Sequence, residues 1–198
     1  MAKNINILKY SGSEARFLAH ELANLRIKVF HEFPYLYEGN IEYEKKYLET
    51  YFKARHSFIL VAMDGDKVIG ATTAVWANDE EESFKRPLQD FGLNTDEVIY
   101  FGESILLPEY RGLGLGKIFM QERENYARSL GFIKILTFCS VERPVDHPLR
   151  PLDYRPLDEF WKSRGFIPAP ELSTTFSWPD INETQETSKK MNYWLKNI

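Results

Sequence analysis

The sequence predicts a single α/β domain of the α+β kind, in which helices flank one central sheet. Strand-like and helix-like segments follow each other in the order β-α-α-β-β-(α)-β-α-β-α-β-β. The tripeptide Asp64-Gly65-Asp66 between two apolar runs predicts a hairpin. Three alternating glycines over 112–116 separate a strand-like run from an amphipathic helix. A chain of 198 residues buries enough apolar surface for one core, so 1–198 is expected to form one domain.

The N-terminal third is predicted to contain a strand, two helices and the hairpin. Apolar side chains at helical spacing, from Phe17 and Leu18 to Leu25 and Val29, give the first helix one buried face. Ser13 is the predicted N-cap of that helix. The predicted elements are a strand over 6–10, helices over 14–30 and 41–53, and hairpin strands over 57–63 and 67–76.

The C-terminal part begins with a polar segment over 78–96, in which a helix is predicted over 81–91. The helix after the glycines is expected to end at Gly131, because glycine readily adopts the left-handed conformation that ends many helices. A Pro- and Arg-rich loop is expected over 142–153. The further predicted elements are a strand over 98–107, a helix from 115 to about 130, a strand over 133–141, a short helix near 156–164, and strands over about 173–178 and 190–195.

The glycines over 112–116 predict a loop that binds phosphate. Glycine lets backbone N–H groups approach an anion closely, the following helix N-terminus adds a partial positive charge, and Lys117 adds a full one. The spacing excludes a Walker loop, which would need glycine at 111 and a hydroxyl side chain at 118, where Arg111 and Ile118 stand. It also excludes the dinucleotide pattern, which would need glycine at 117 or 119. A plain strand-to-helix turn is the structural alternative.

A different pattern is present, R-x-x-G-x-G, formed by Arg111, Gly114 and Gly116 after the entry Pro108-Glu109-Tyr110. Together with Gly165-Phe166 after the last predicted helix, it resembles the acyl-CoA pyrophosphate loop of the GNAT superfamily of N-acetyltransferases. The resemblance covers nearly the whole chain, with an insertion near 78–96. It implies a mixed, mostly antiparallel central sheet whose central strands splay apart, with acetyl-CoA bound in the gap.

The resemblance also implies which residues bind acetyl-CoA. The phosphates would lie on the glycine loop, and the pantetheine arm would bond to the backbone of Leu106 and Leu107 in the preceding strand. The Leu106 N–H is the candidate that polarises the thioester carbonyl. The implied acetyl-CoA-binding residues are Leu106, Leu107, Arg111, Gly112, Leu113, Gly114, Leu115, Gly116 and Lys117.

Glu103 is the predicted catalytic base. It is the one carboxylate in the apolar strand over 98–107, where loss of solvent would raise its pKa toward the range that a base needs. The alternative is a carboxylate that points into solvent or pairs with an arginine.

The general acid is harder to assign. Many members of the family carry a tyrosine four residues before the Gly-Phe pair, and this chain has Trp161 there, whose indole does not act as an acid at neutral pH. Tyr154 lies near the position of an Asn that contacts CoA in many members, and it is the predicted acid. Cys139 and Tyr110 are weaker candidates.

The acceptor is expected between the first two helices, the region that covers the acceptor in the fold implied by the resemblance. Aromatic rings beside carboxylates there suit a cationic amine, although ordinary packing also explains the aromatic residues. The loop that contains Arg143, His147, Arg150 and Arg155 is an alternative site for a carboxylate or for the CoA phosphates. The predicted acceptor-binding residues are Glu32, Phe33, Tyr35 and Tyr37, beside Glu38.

Composition argues against several classes of function. The net charge of −4 disfavours a nucleic-acid-binding protein, because such proteins usually carry a basic surface. Since Cys139 is the only cysteine and the four histidines lack metal-binding spacing, we predict no disulfide within the chain and no metal site. The sequence shows neither a signal peptide nor an apolar run long enough for a bilayer, so we expect a cytoplasmic protein without a membrane partner.

The sequence therefore predicts an N-acetyltransferase that moves acetyl from acetyl-CoA to a primary amine, on a small molecule or a peptide, by direct attack in a ternary complex. A covalent route through Cys139 is disfavoured, because no histidine lies near it in sequence. The alternative function is a non-catalytic acyl-CoA-binding sensor or partner protein on the same fold, which Trp161 favours. A homodimer is compatible with both.

Overall fold

The structure, a computed structural model, describes residues 4–198, which form an eight-stranded sheet flanked by helices. The strands, numbered in chain order, are β1 (Ile5–Tyr10), β2 (Ser57–Asp64), β3 (Lys67–Trp76), β4 (Val98–Tyr100), β5 (Ser104–Leu106), β6 (Ile135–Val141), β7 (Ile167–Trp178) and β8 (Thr187–Asn197). The helices are α1 (Ala19–Phe30), α2 (Ile41–Lys53), α3 (Glu82–Asp90), α4 (Leu115–Ser129) and α5 (Asp158–Ser163).

The sheet is mixed and mostly antiparallel, as predicted. Its order is β1-β2-β3-β4-β6-β8-β7, and β5 pairs with β3 beyond the end of β4. Among the strand pairs of residues 4–198, β4 and β6 alone run parallel. The centre of the sheet is therefore the place where one parallel pair interrupts an antiparallel sheet.

Helices cover both faces of the sheet. A side chain at Gly70 of β3 would meet Phe119 of α4, whereas Thr73 of the same strand and Tyr51 of α2 both lie beside Gly102. Side chains three residues apart in a strand point to opposite faces, so α2 and α4 lie on opposite sides.

The insertion near 78–96 packs against the sheet through α3. The Phe84 ring lies 4.9 Å from the ring of Tyr100 and 4.4 Å from that of Phe176. The Tyr193 hydroxyl donates to the Phe84 carbonyl oxygen at 2.9 Å. The predicted helix over 81–91 is confirmed as Glu82–Asp90.

The start of the first helix differs from the prediction. Gly12–Leu18 is a 3₁₀ helix and α1 begins at Ala19. Ser11, not Ser13, caps this segment, because the Ser11 Oγ and N–H both donate to the Glu14 carboxylate, at 2.7 and 2.9 Å. A capping box needs a glutamate three residues after the cap, and that spacing selects Ser11.

Two further differences concern strands. The predicted late strands were too short, since β7 and β8 extend over Ile167–Trp178 and Thr187–Asn197. The first part of β7 was not predicted because it contains Pro168 and Pro170. Proline is tolerated there because β7 is an edge strand, and Pro170 lies within a register shift between Ala169 and Ser173. The predicted strand over 98–107 is divided into β4 and β5. No helix among residues 4–198 is long and apolar enough to cross a bilayer.

Candidate active site

The centre of the candidate site is a gap between β5 and β6. Phe101 N–H donates to the Thr137 carbonyl oxygen of β6 at 2.7 Å, and this bond follows the β4–β6 ladder directly. From Ser104 onward the chain pairs with β3, while β6 continues to Val141. The two strands therefore separate, which confirms the predicted splay.

Residues 101–103 form the bend that opens the gap, and Gly102 is required within it. A Cβ at Gly102 would lie 1.9 Å from the Tyr51 hydroxyl and 2.6 Å from Thr73 Oγ1. Thr73 Oγ1 in turn accepts a hydrogen bond from Glu103 N–H at 3.2 Å. The buried hydroxyls of Tyr51 and Thr73 therefore occupy the space that the missing side chain leaves.

Two backbone N–H groups point into the gap. The Glu103 carbonyl oxygen accepts from Thr73 N–H at 3.0 Å, and the N–H of the same trans peptide, that of Ser104, must point the opposite way, away from β3. Leu107 N–H donates to the Ile69 carbonyl oxygen at 2.9 Å, so Leu106 by alternation presents its backbone groups to the gap. The role of Ser104 was not predicted, because its donor is a main-chain N–H group and the identity of a side chain does not reveal such a donor.

Leu107 does not direct its N–H toward the gap. Its N–H donates to the Ile69 carbonyl oxygen, and its carbonyl oxygen accepts from Tyr110 N–H at 3.0 Å. The Leu107 side chain is buried in the core. Of the two leucines, Leu106 alone faces the gap.

The glycine loop has the conformation that an anion site needs. Gly112 and Gly114 have φ values of 79° and 83°, and a Cβ at either would meet nothing within 4 Å. Within residues 4–198 no protein group accepts from the N–H groups of Gly114, Leu115 and Gly116. The first turn of α4 contains no acidic residue, while Lys117 is exposed and Leu115 is buried as the anchor of the helix. The loop therefore presents free donors and open space, which fits the phosphates of CoA.

Glu32, a predicted acceptor-binding residue, lies beside Arg111 at this loop. Its carboxylate pairs with Arg111 Nη1 at 2.8 Å, and Arg111 Nε donates to the Leu106 carbonyl oxygen at 3.2 Å. Arg111 thus joins the glycine loop to the edge of the gap, and Glu32 holds it there. Both side chains are partly exposed, so the pair contributes little to stability.

Glu103 lies in a buried charge cluster with Arg26 and Glu44. Arg26 Nη1 donates to Glu103 Oε2 at 2.5 Å, and Arg26 Nε pairs with Glu44. Burial raises the pKa of Glu103, an effect that Arg26 opposes and Glu44 supports. Arg26 and Glu44 were missed, although each places a charge on an apolar helix face, beside Leu22 and Leu48 respectively.

A second buried polar group lies beneath the bend. The hydroxyls of Tyr47 and Tyr51 are 2.8 Å apart, and Tyr51 donates to Glu80 Oε1 at 3.2 Å. Burial raises the pKa of Glu80 to about 7. Arg123 of α4 lies on the other side, with its guanidinium carbon 4.2 Å from the Phe101 ring centroid and its Nη1 3.5 Å from the Glu103 carbonyl oxygen. These side chains hold the bend from both faces of the sheet.

Tyr154 is half-buried against the loop between α1 and α2. Its ring meets that of Phe33 edge-on at 4.7 Å, and the Arg150 guanidinium carbon is 4.8 Å from its centroid. Burial raises the pKa of the Tyr154 phenol. Trp161 instead packs on β6 and β8, with its ring 5.0 Å from those of Phe138 and Trp194.

Tyr35 occupies a central position. Its carbonyl oxygen accepts from Arg143 Nη2 at 2.6 Å and from Trp178 Nε1 at 3.1 Å, which fixes its backbone. Burial raises the pKa of the phenol, with Cys139, Tyr154 and Glu103 raising it further and Arg26 opposing them. The phenol is therefore surrounded by these groups, and its hydroxyl has no hydrogen-bond partner within residues 4–198.

The remaining predicted side chains are Tyr37, Glu38 and Cys139. Burial and the adjacent Glu44 raise the pKa of Tyr37, so its phenol lies beside the charge cluster, whereas Glu38 is exposed. Cys139 is buried, and its Sγ lies 2.9 Å from the Tyr100 hydroxyl. Burial raises the pKa of the thiol to about 12, so Cys139 is not an activated nucleophile.

The sequence model of the Acetyltransferase (GNAT) family matches residues 22–152 of the chain. No curated protein matches the sequence. Solved structures with the same fold include an acetyltransferase from Streptococcus agalactiae, at 14% identity and a TM-score of 0.61, with 100% of both chains covered.

Two further structures show the same likeness. The acetyltransferase of the GNAT family from Streptococcus pneumoniae has 13% identity and a TM-score of 0.58, with 98% of this chain and 100% of that chain covered. Arabidopsis thaliana NAA60, in complex with a bisubstrate analogue, has 12% identity and a TM-score of 0.61, with 98% of both chains covered. At these identities the likeness shows a shared fold.

Proposed function

Because the chain belongs to the acetyltransferase (GNAT) family, we propose that it moves an acetyl group from acetyl-CoA to a primary amine by direct attack within a ternary complex. The proposal rests on one observation, that two features lie close together along the chain. The gap edge at Ser104 and Leu106 offers inward N–H groups, and the loop at 112–116 offers free donors a few residues later.

Bound acetyl-CoA would supply the thioester whose acetyl group is transferred. The N–H groups of Gly114, Leu115 and Gly116, with Lys117, would hold its phosphates. The backbone of Leu106 would hold its pantetheine arm.

Glu103 would take the proton that the amine loses, directly or through water. Its raised pKa supports this role, because a base works best when its pKa approaches the ambient pH. Arg26 would fix the orientation of the carboxylate and keep part of it ionised.

The N–H groups of Ser104 and Leu106 would stabilise negative charge on the carbonyl oxygen during the transfer. Tyr154, whose ring contacts the predicted acceptor-binding residue Phe33, would give a proton to the departing sulfur. Phe33, Tyr35 and Tyr37 would line the route of the acceptor, and the free Tyr35 hydroxyl is available to contact it.

The test is a turnover assay. We expect thiol release from acetyl-CoA when the protein is given a panel of polyamines, amino acids, aminoglycosides and peptide N-termini. The presence of Trp161 where many family members have a tyrosine favours the sensor alternative. Binding of acetyl-CoA without thiol release for any amine would support the sensor and contradict the enzyme.

A further inference from the structure

A cavity of about 400 Å³ lies at the end of β6, under the loop that follows this strand. Ser140 and Val141 of β6 line it, and Phe33 and Tyr154 form its rim. Because Phe33 and Tyr154, a predicted acceptor-binding residue and the predicted acid, both line the cavity, it lies beside side chains proposed for the reaction. Its volume is within the range of small-molecule sites.

Most charged groups that line the cavity already have partners. Arg143 is paired with Asp180 at 2.7 Å, and Lys190 with Glu142 at 3.0 Å. Asp158 is exposed to solvent at the start of α5.

Arg150 and Asp158 both lack an ion-pair partner within residues 4–198, and of the two only Arg150 is partly buried. Within residues 4–198 no carboxylate lies within 4 Å of the Arg150 guanidinium, and no group accepts a hydrogen bond from it. Its guanidinium carbon lies 4.8 Å from the Tyr154 ring centroid and 5.7 Å from that of Phe33. Two rings thus orient a cation whose five donors are unused.

The chemistry of this cavity selects a planar anion. A guanidinium binds a carboxylate through two parallel hydrogen bonds, and its orientation by aromatic rings reduces the entropy lost on binding. Ser140 Oγ accepts from Trp194 Nε1 at 3.2 Å, which leaves the serine proton free to donate to the same ligand. The apolar walls, which include Phe33 and Val141, suit a hydrocarbon side chain.

We infer that this cavity binds a carboxylate of the acceptor through Arg150, so that the acceptor is an amino acid or a similar amine that carries a carboxylate. The inference rests on the proposed function. A phosphate of CoA offers related oxyanion chemistry, and the test below separates the two sources.

The experiment compares amino acids with their carboxamides, which keep the amine and the side chain but lose the negative charge. For the unmodified protein we expect kcat/KM to be about 10- to 100-fold higher for an acid than for its amide, the size of one charged, bidentate contact. Arg150→Gln should remove this preference through a higher KM for the acid. Arg86→Gln, on the exposed side of α3 and outside the cavity, should leave the ratio unchanged.

Calorimetry of amino-acid binding to the CoA-saturated protein gives a readout that does not need turnover. If the unmodified protein bound amino acids without acetylating any amine, and Arg150→Gln abolished that binding, the proposed function would be contradicted and the carboxylate site would stand. Equal kcat/KM for acid and amide in the unmodified protein would overturn the inference. A weaker affinity for acetyl-CoA in Arg150→Gln, with the acid preference intact, would assign the anion to CoA and also overturn it.

Discussion

Arg26 Nη1 donates to Glu103 Oε2 at 2.5 Å inside the protein, where both side chains are more than nine-tenths buried. The same guanidinium also pairs with Glu44, so two carboxylates share one cation. Such a cluster holds one negative charge in excess when both carboxylates are ionised. Glu103 is thus held at the bend of the gap with its pKa raised by burial.

The first prediction concerns this carboxylate. Glu103→Gln should lower kcat by roughly 10²–10⁴-fold and leave acetyl-CoA affinity within a few-fold, because loss of a general base affects the chemical step. Steady-state kinetics and calorimetry measure the two quantities. The matched control is Glu44→Gln, which removes the other partner of Arg26 and should cost much less kcat. Equal losses in both variants would mean that the ion pair acts only structurally.

The second prediction concerns Glu80, whose pKa rises by burial from 4.5 to about 7. The folded protein then holds a proton that the unfolded chain has already lost, so the stabilising contribution is complete below pH 4.5 and disappears as the pH rises through about 7. Between pH 4.5 and about 7, the titration of Glu80 should lower the free energy of unfolding by about 3 kcal/mol. Urea unfolding at a series of pH values measures it.

Glu80→Gln should remove that part of the pH dependence, since the amide keeps the shape and does not titrate. Glu171→Gln changes an exposed glutamate that does not contribute to the pKa shift of Glu80 and should leave the pH profile as in the unmodified protein. A Glu80→Gln profile that still falls by the full amount would show that another group is responsible.

The third prediction concerns the glycine loop. Acetyl-CoA at a hundred times its dissociation constant should raise Tm by about 5–10 °C. Gly114→Val should abolish the rise, because a branched side chain would occupy the open space in front of the free N–H groups. Gly131→Val is the matched control, since Gly131 also has a positive φ, 75°, and open space, at the other end of α4. Both variants should lose similar stability, and a normal ligand shift in Gly114→Val would refute the assignment of the loop.

The fourth prediction concerns Tyr154. Tyr154→Phe keeps the ring contacts with Phe33 and Arg150 and removes only the hydroxyl. We expect kcat to fall by about 10-fold or more, with little change in acetyl-CoA affinity, because only the proton source for the sulfur is lost. Unchanged turnover with the best acceptor would leave Tyr154 a packing residue.

Much of the fold could be predicted because its signals are local. The helix over Ile41–Lys53 and the hairpin around Gly65 follow from periodicity and turn chemistry, and both agree with the structure. The glycine loop was recognisable for the same reason. The length of β7 was underestimated, because Pro168 and Pro170 fit only an edge strand or an irregularity, and the sequence does not show that β7 is an edge strand.

The site was less predictable because its parts come from distant segments. Arg26 and Glu103 are 77 residues apart, and no local pattern pairs them. The sequence could not show which N–H groups of this strand face β3, because that depends on register, and Leu107 directs its N–H to Ile69. Glu32 and Arg111, which form an ion pair, are likewise 79 residues apart.

The most direct measurement follows an isotope-labelled acetyl group from acetyl-CoA by mass spectrometry of both the protein and the amine. Direct transfer predicts label in the acetylated amine, one for each thiol released, with none on the protein at any time. Label retained on Cys139 or another side chain before the amine is added, or thiol release without labelled amine, would contradict the account.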